Sequence, residues 1–75
     1  MDELVKMWGY KQTTIKGAIC YTKEYDKYIT IVIHKACVFV SNRVVLRQKE
    51  DCQNEIKALK QGQYELSQVK LSRSL

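Results

Sequence analysis

The chain carries one histidine, His34, and three cysteines, Cys20, Cys37 and Cys52. A thiol beside an imidazole is the least that nucleophilic catalysis requires. Three residues around a turn could bring His34 to Cys37, and Cys20 is a second conceivable partner. A working dyad also needs a group to orient the imidazole and donors to hold an oxyanion. Neither is recognisable, so the expectation is a histidine at a strand end and a packing cysteine. The thiols are odd in number and far apart, with no C-x-x-C, which fits neither a disulfide framework nor a zinc knuckle. They read as small hydrophobes in a reducing compartment. The carboxylates are no better placed. Glu24 and Asp26 stand in a lysine-flanked loop, and Glu50-Asp51 open a helix, where negative charge complements the dipole. Gly9, Gly17 and Gly62 are too dispersed for a phosphate loop. No catalytic residue, metal or cofactor is expected, and the chain is expected not to be an enzyme.

Binding chemistry has more to work with. The net charge is +5, and its excess maps to one stretch. Lys11, Lys16, Lys23, Lys27, Lys35, Arg43 and Arg47 face only Glu24 and Asp26 in that stretch, while the flanks nearly cancel. No two of these cations are adjacent, so the field is diffuse rather than a basic tract. Aromatic and β-branched residues are interleaved with them.

The elements that must position these groups fit within one domain of 75 residues. A chain this short buries only about 60% of the surface its unfolded form exposes, so stability is marginal. Residues 1–10 suit a short helix with Leu4, Val5 and Trp8 on one face, stopped by Gly9. Residues 13–47 read as sheet. From Thr13 the period is two, and Ile15, Gly17, Ile19 and Tyr21 fall on one side. Lys23 to Lys27 reads as a hairpin loop. Tyr28 to His34 alternates cleanly: Ile29, Ile31 and Ile33 face the core, and Tyr28, Thr30, Val32 and His34 the other way. Lys35-Ala36 turns the chain into a strand from Cys37. That strand either runs on to Arg47 or turns back at Ser41-Asn42. Residues 49–61 form an amphipathic helix whose apolar stripe is Cys52, Ile56 and Leu59, with Gly62 as its C-cap. Residues 63–75 are a tail that can add an edge strand. The expected fold is α+β: an antiparallel meander of three or four strands with one helix packed on one face. Its N-terminus is acidic and no stretch could span a membrane, so an intracellular, soluble protein, cytoplasmic or nuclear, is expected.

On that fold the sheet face away from the helix is the candidate surface. It would present Tyr28, Phe39, Arg43 and Val45 to a protein partner or to a second copy of the chain, and free strand edges add a route to association. Nucleic acid is the alternative. Lys16, Lys35, Arg43 and Arg47 would then hold phosphates while Tyr28, Phe39 and His34 stack on bases. Basicity alone does not choose between them. Neither a membrane nor a small-molecule substrate is expected.

Overall fold

A computed structural model describes residues 2–43 and 48–74. In chain order it comprises α1 (Asp2–Trp8), β1 (Lys11–Ile15), β2 (Ala18–Glu24), β3 (Ile29–His34), β4 (Cys37–Asn42) and α2 (Lys49–Ser74). The strands form one sheet in the order β1-β2-β3-β4, every pair antiparallel. Short links leave consecutive strands no easier partner than each other. The fold is α+β, as the sequence implies: an open meander with α2 across one face and α1 against the end of α2. No helix among the described residues is long and apolar enough to cross a membrane.

Ile29, Ile31 and Ile33 carry the core, all essentially inaccessible beneath α2. Strand alternation puts them on the helix side and register extends that side: Tyr21 lies opposite Ile33, Lys23 opposite Ile31, and Val38 and Val40 opposite Ile33 and Ile31. Leu4 and Tyr10 close the end beside α1. Gly9 adopts φ +75°, and the amides of Gly9 and Tyr10 donate to the carbonyls of Val5 and Leu4, which ends α1 and swings Tyr10 inward. At the start of α2 the Asp51 carboxylate accepts from the Gln48 amide at 2.9 Å, one arm of a capping box.

Several expectations need correction. The stretch after Thr13 is two strands, not one. Lys16 and Gly17, at φ 50° and 81°, make the two-residue loop between them. Positive φ at both positions is the I′ pattern, whose twist matches that of the strands. The loop sends Ile15 to the open face and Ile19 to the helix side, so the two do not share a face. Lys23 and Glu24 belong to β2, and the next loop is Tyr25 to Tyr28, held by the Asp26 carboxylate accepting from the amides of Tyr28 and Ile29. Lys35-Ala36 does turn the chain, with Lys35 at φ 56°. Ser41 and Asn42 pair with Thr30 and Ile29 inside β4, which excludes a turn there, and the strand ends before Arg43.

The largest correction concerns α2. It does not stop at Gly62 but runs on to Ser74, so there is no edge strand after it. The seated face is also a different one. Cys52 and Ile56 are exposed, whereas Ala58, Gly62, Glu65, Leu66 and Val69 are buried. Ala58 and Gly62 have little or no side chain, which lets the α2 backbone descend onto the sheet. A Cβ on Gly62 would lie 2.7 Å from Ile31 Cγ2 and 2.8 Å from Val38 Cγ1. Gly62 is a seat for the helix, not its end.

Candidate functional site

Two places concentrate chemistry, one on each side of the sheet. On the helix side, Glu65 projects from α2 into the core and is only 2% exposed. Its carboxylate accepts from Tyr10 Oη at 2.7 Å, from Gln61 Nε2 at 2.7 Å and from Lys23 Nζ at 2.5 and 2.7 Å. Lys23 Nζ also sits over the rings of Tyr10 and Trp8, 4.7 and 5.9 Å from their centroids. Trp8 meets Tyr64 edge-on at 6.1 Å. Burial pushes the Glu65 carboxyl upward, but the hydrogen bonds from Gln61, Lys23 and Tyr10 and the Lys23 charge outweigh it and hold its pKa below the ordinary value. The same burial, with the carboxylate alongside, raises the Tyr10 phenol well above its usual range. The cluster thus fixes one protonation state: Glu65 ionised, Tyr10 neutral. Its four hydrogen-bonded members come from β2, from α2 and from the segment after α1, so it clamps these parts together. Both oxygens of Glu65 are occupied by these donors.

Local sequence pattern does not indicate this cluster, since it puts Lys23 in a loop and Glu65 in a tail. A signal existed: Glu65 lies between Ala58, Gly62, Leu66 and Val69 on a stripe of small and apolar residues with helical spacing. Residues 49–74 also contain no proline and only one glycine to interrupt them.

On the other side the sheet is bare. No described element covers it. Register places Lys11, Thr22, Val32 and Phe39 in one row across all four strands, and Glu24, Thr30 and Ser41 in the next. Phe39 is 54% exposed beside half-buried Val32. His34 pairs directly with Cys37 next to the β3–β4 turn, the former half-buried and the latter exposed. Register sets His34 and Cys37 side by side on neighbouring strands, while Cys20 Sγ donates to the Ala18 carbonyl at 3.8 Å. No group of three or more His, Cys, Asp or Glu among the described residues could hold a metal ion.

The expected contact residues divide into groups. Phe39 occupies the open face, as the alternation implies. Tyr28 lies outside the strands, exposed in the β2–β3 loop, with Lys27 Nζ 5.6 Å from its ring centroid. Arg43 is exposed just past β4, its amide donating to the Tyr28 carbonyl at 3.0 Å. Lys16 and Lys35 sit on the turns at the opposite end of the sheet, both exposed. The strands between the two ends span about 20 Å at 3.3 Å per residue. Val45 and Arg47 lie outside the described residues. The cysteines also differ from the expected packing role, since only Cys20 is buried and Cys37 and Cys52 are exposed.

Near the Arg43 end the open face dips into a shallow trough of about 470 Å³ lined by Gly9, Lys11, Thr22, Lys23, Glu24, Thr30 and Arg43. Such a volume suits a peptide side chain or two. Comparison of the chain with protein-family models, with curated proteins and with solved structures gives no match.

Proposed function

We propose that this protein is a small non-enzymatic binding module that works by protein–protein contact through the open face of its sheet. The observation that carries the reading is Phe39, a large aromatic more than half exposed on edge strand β4, on a face that no described element covers. Aromatic side chains beside β-branched ones are typical anchors of protein contacts. The charge pattern favours protein over nucleic acid. Among strand positions on this face, Lys11 and Glu24 offset each other; Lys23 points to the helix side, where it is committed to Glu65, and the other described cations of the sheet region stand in turns and loops. Charge flanking an apolar patch steers a partner and leaves the patch to hold it. Nucleic-acid binding is the second reading, favoured by Lys16 and Lys35 projecting from neighbouring turns at one end.

A photo-reactive side chain placed at Phe39, with a control at exposed Lys57 on α2, tests the proposal in the cells that make the protein. Cross-links to protein from position 39, absent from position 57, are the expected result. Equal cross-linking from both positions, or none, would sink it. Mixed-sequence RNA and DNA titrated at two salt concentrations test the second reading, because phosphate contacts give a steep salt dependence.

A further inference from the structure

We infer that the trough beside Arg43 binds an extended acidic peptide segment whose two carboxylates lie roughly six residues apart. This deepens the proposed function and rests on it, naming the chemistry of the partner at one part of the face. Lys11 stands at one end of the trough on β1 and Arg43 at the other, past β4. Both are exposed, and neither has an ion-pair partner among the described residues. Lys23 also lines the trough, but its ammonium is held by Glu65 on the helix side. Glu24 and the hydroxyl of Thr30 lie between the two cations, in one register row. Positive, negative, positive is therefore the order of charge across the strands.

The spacing follows from the sheet. Three inter-strand steps of about 4.8 Å separate β1 from β4, roughly 14 Å. Lys11 shares the row of Phe39, and Arg43 follows Phe39 by four residues, roughly 13 Å along the strand. The path from one cation to the other is thus a diagonal of roughly 19 Å, which an extended peptide covers in about six residues at 3.3 Å each. Side chains at alternate positions of an extended chain point the same way. The first, third, fifth and seventh residues of the segment would thus face the trough together. Carboxylates at the first and seventh meet Lys11 and Arg43. A donor at the third, a lysine or an amide, meets Glu24 and Thr30. Arg43 can take its carboxylate through two parallel hydrogen bonds, which adds directionality that a lysine lacks. Val32 and Phe39 share the row of Lys11 and Thr22, so apolar surface flanks the path.

A labelled peptide of the form Glu-x-Lys-x-x-x-Glu, and a scrambled peptide with its glutamates adjacent, are titrated by fluorescence anisotropy against the folded protein. The expected result is binding of the first about tenfold tighter than the second, and weakened about tenfold by Lys11→Glu or Arg43→Glu. Glu24→Gln weakens the lysine-bearing peptide and leaves a glutamine-bearing one unchanged. Circular dichroism confirms that each surface variant is folded. Equal binding of the two peptides, or binding indifferent to both charge reversals, overturns the inference. Competition for the trough by RNA in place of the peptide also overturns it. Cross-linking from position 39 that persists without peptide binding overturns the acidic-peptide assignment alone, whereas loss of both removes the face as a protein contact.

Discussion

Replacing Gly62 with alanine should destabilise the protein, against the usual direction of that change. In an exposed helix interior Gly→Ala gains about 1 kcal/mol, since alanine loses less backbone entropy. Here the added methyl would sit 2.7 Å from Ile31 Cγ2 and 2.8 Å from Val38 Cγ1. Ordinary carbon contacts lie at about 3.5–4.0 Å, so the shortfall is about 1 Å on two sides. Both obstructing methyls are bonded directly to a branched Cβ and cannot move without a change of χ1. Ile31 is fully buried, which leaves α2 to lift instead. Overpacking of this kind costs about 1–3 kcal/mol. Set against the propensity gain, the net loss is about 1 kcal/mol, which lowers Tm by about 4–8 °C in a domain of this size. Urea unfolding followed by the fluorescence of Trp8, the single tryptophan, measures it. Gln63→Ala, at the neighbouring exposed position, is the control and should be neutral or slightly stabilising. Val38→Ala removes one obstructing methyl, so the double variant should show Gly62→Ala costing less than it does alone. A Gly62→Ala protein stabilised by the full propensity increment would refute the seating of α2 on Ile31 and Val38.

Other consequences can be measured on the same protein. Glu65→Met strands the Lys23 ammonium and the Tyr10 hydroxyl and should cost about 2–4 kcal/mol, most of it recovered when Lys23→Met is added; additive urea midpoints across that cycle would contradict the ion pair. Because the Glu65 carboxyl titrates lower in the folded protein than in the unfolded chain, its contribution is present above about pH 4.3 and is lost as pH falls through the folded value. Acid titrations of stability should therefore lose part of their slope in Glu65→Gln. Tyr10 works in the opposite sense: its raised pKa gives a contribution intact below about pH 10 and declining above it, which Tyr10→Phe should remove. Lys16→Asn places a residue tolerant of positive φ in the β1–β2 turn and should raise stability by about 0.5–1 kcal/mol; a lower melting temperature would argue against that turn. Cys37 and Cys52 should react with a thiol reagent in the folded state while Cys20 reacts only on unfolding, and three equally fast thiols would contradict the burial pattern.

Local periodicity made the centre of the sheet legible. Ile29, Ile31 and Ile33 could face only one way, and Phe39 followed once Val38 and Val40 were assigned to the core. What periodicity could not show was the I′ turn at Lys16-Gly17, because residues on either side of a two-residue loop keep a strand-like composition. Without the turn, Ile15 and Ile19 appear to share a face. The α2 helix departs from the pattern for a different reason. Its exposed side carries the large hydrophobes Ile56, Tyr64 and Leu71, while its buried side sets alanine, glycine and a glutamate beside Leu66 and Val69. Close approach to a sheet rewards small residues, and a hydrophobicity count gives these little weight. Glu65 is tolerable inside only because Lys23 and Tyr10 arrive from distant parts of the chain, a tertiary fact without local trace. The charge excess of residues 11–47 overstates the basicity of the open face, because Lys23 turns to the helix side and pairs with Glu65.

Chain order gives the uncovered sheet a bearing on synthesis. The residues that close the core belong to the last element, α2. At roughly 5–20 residues per second, β3 emerges from the ribosome a few seconds before its cover is complete. In that interval the face bearing Ile29, Ile31 and Ile33 meets solvent, with sheet edges at β1 and β4 ready to pair with another chain. The cations scattered through residues 11–43 are then spread along the part of the nascent protein most prone to stick. Neighbouring copies on one message repel each other through them, and lysines next to the strands act as gatekeepers against strand addition. Lys23 has not yet met Glu65 at that stage, so its ammonium is one more unpaired cation on the half-made chain.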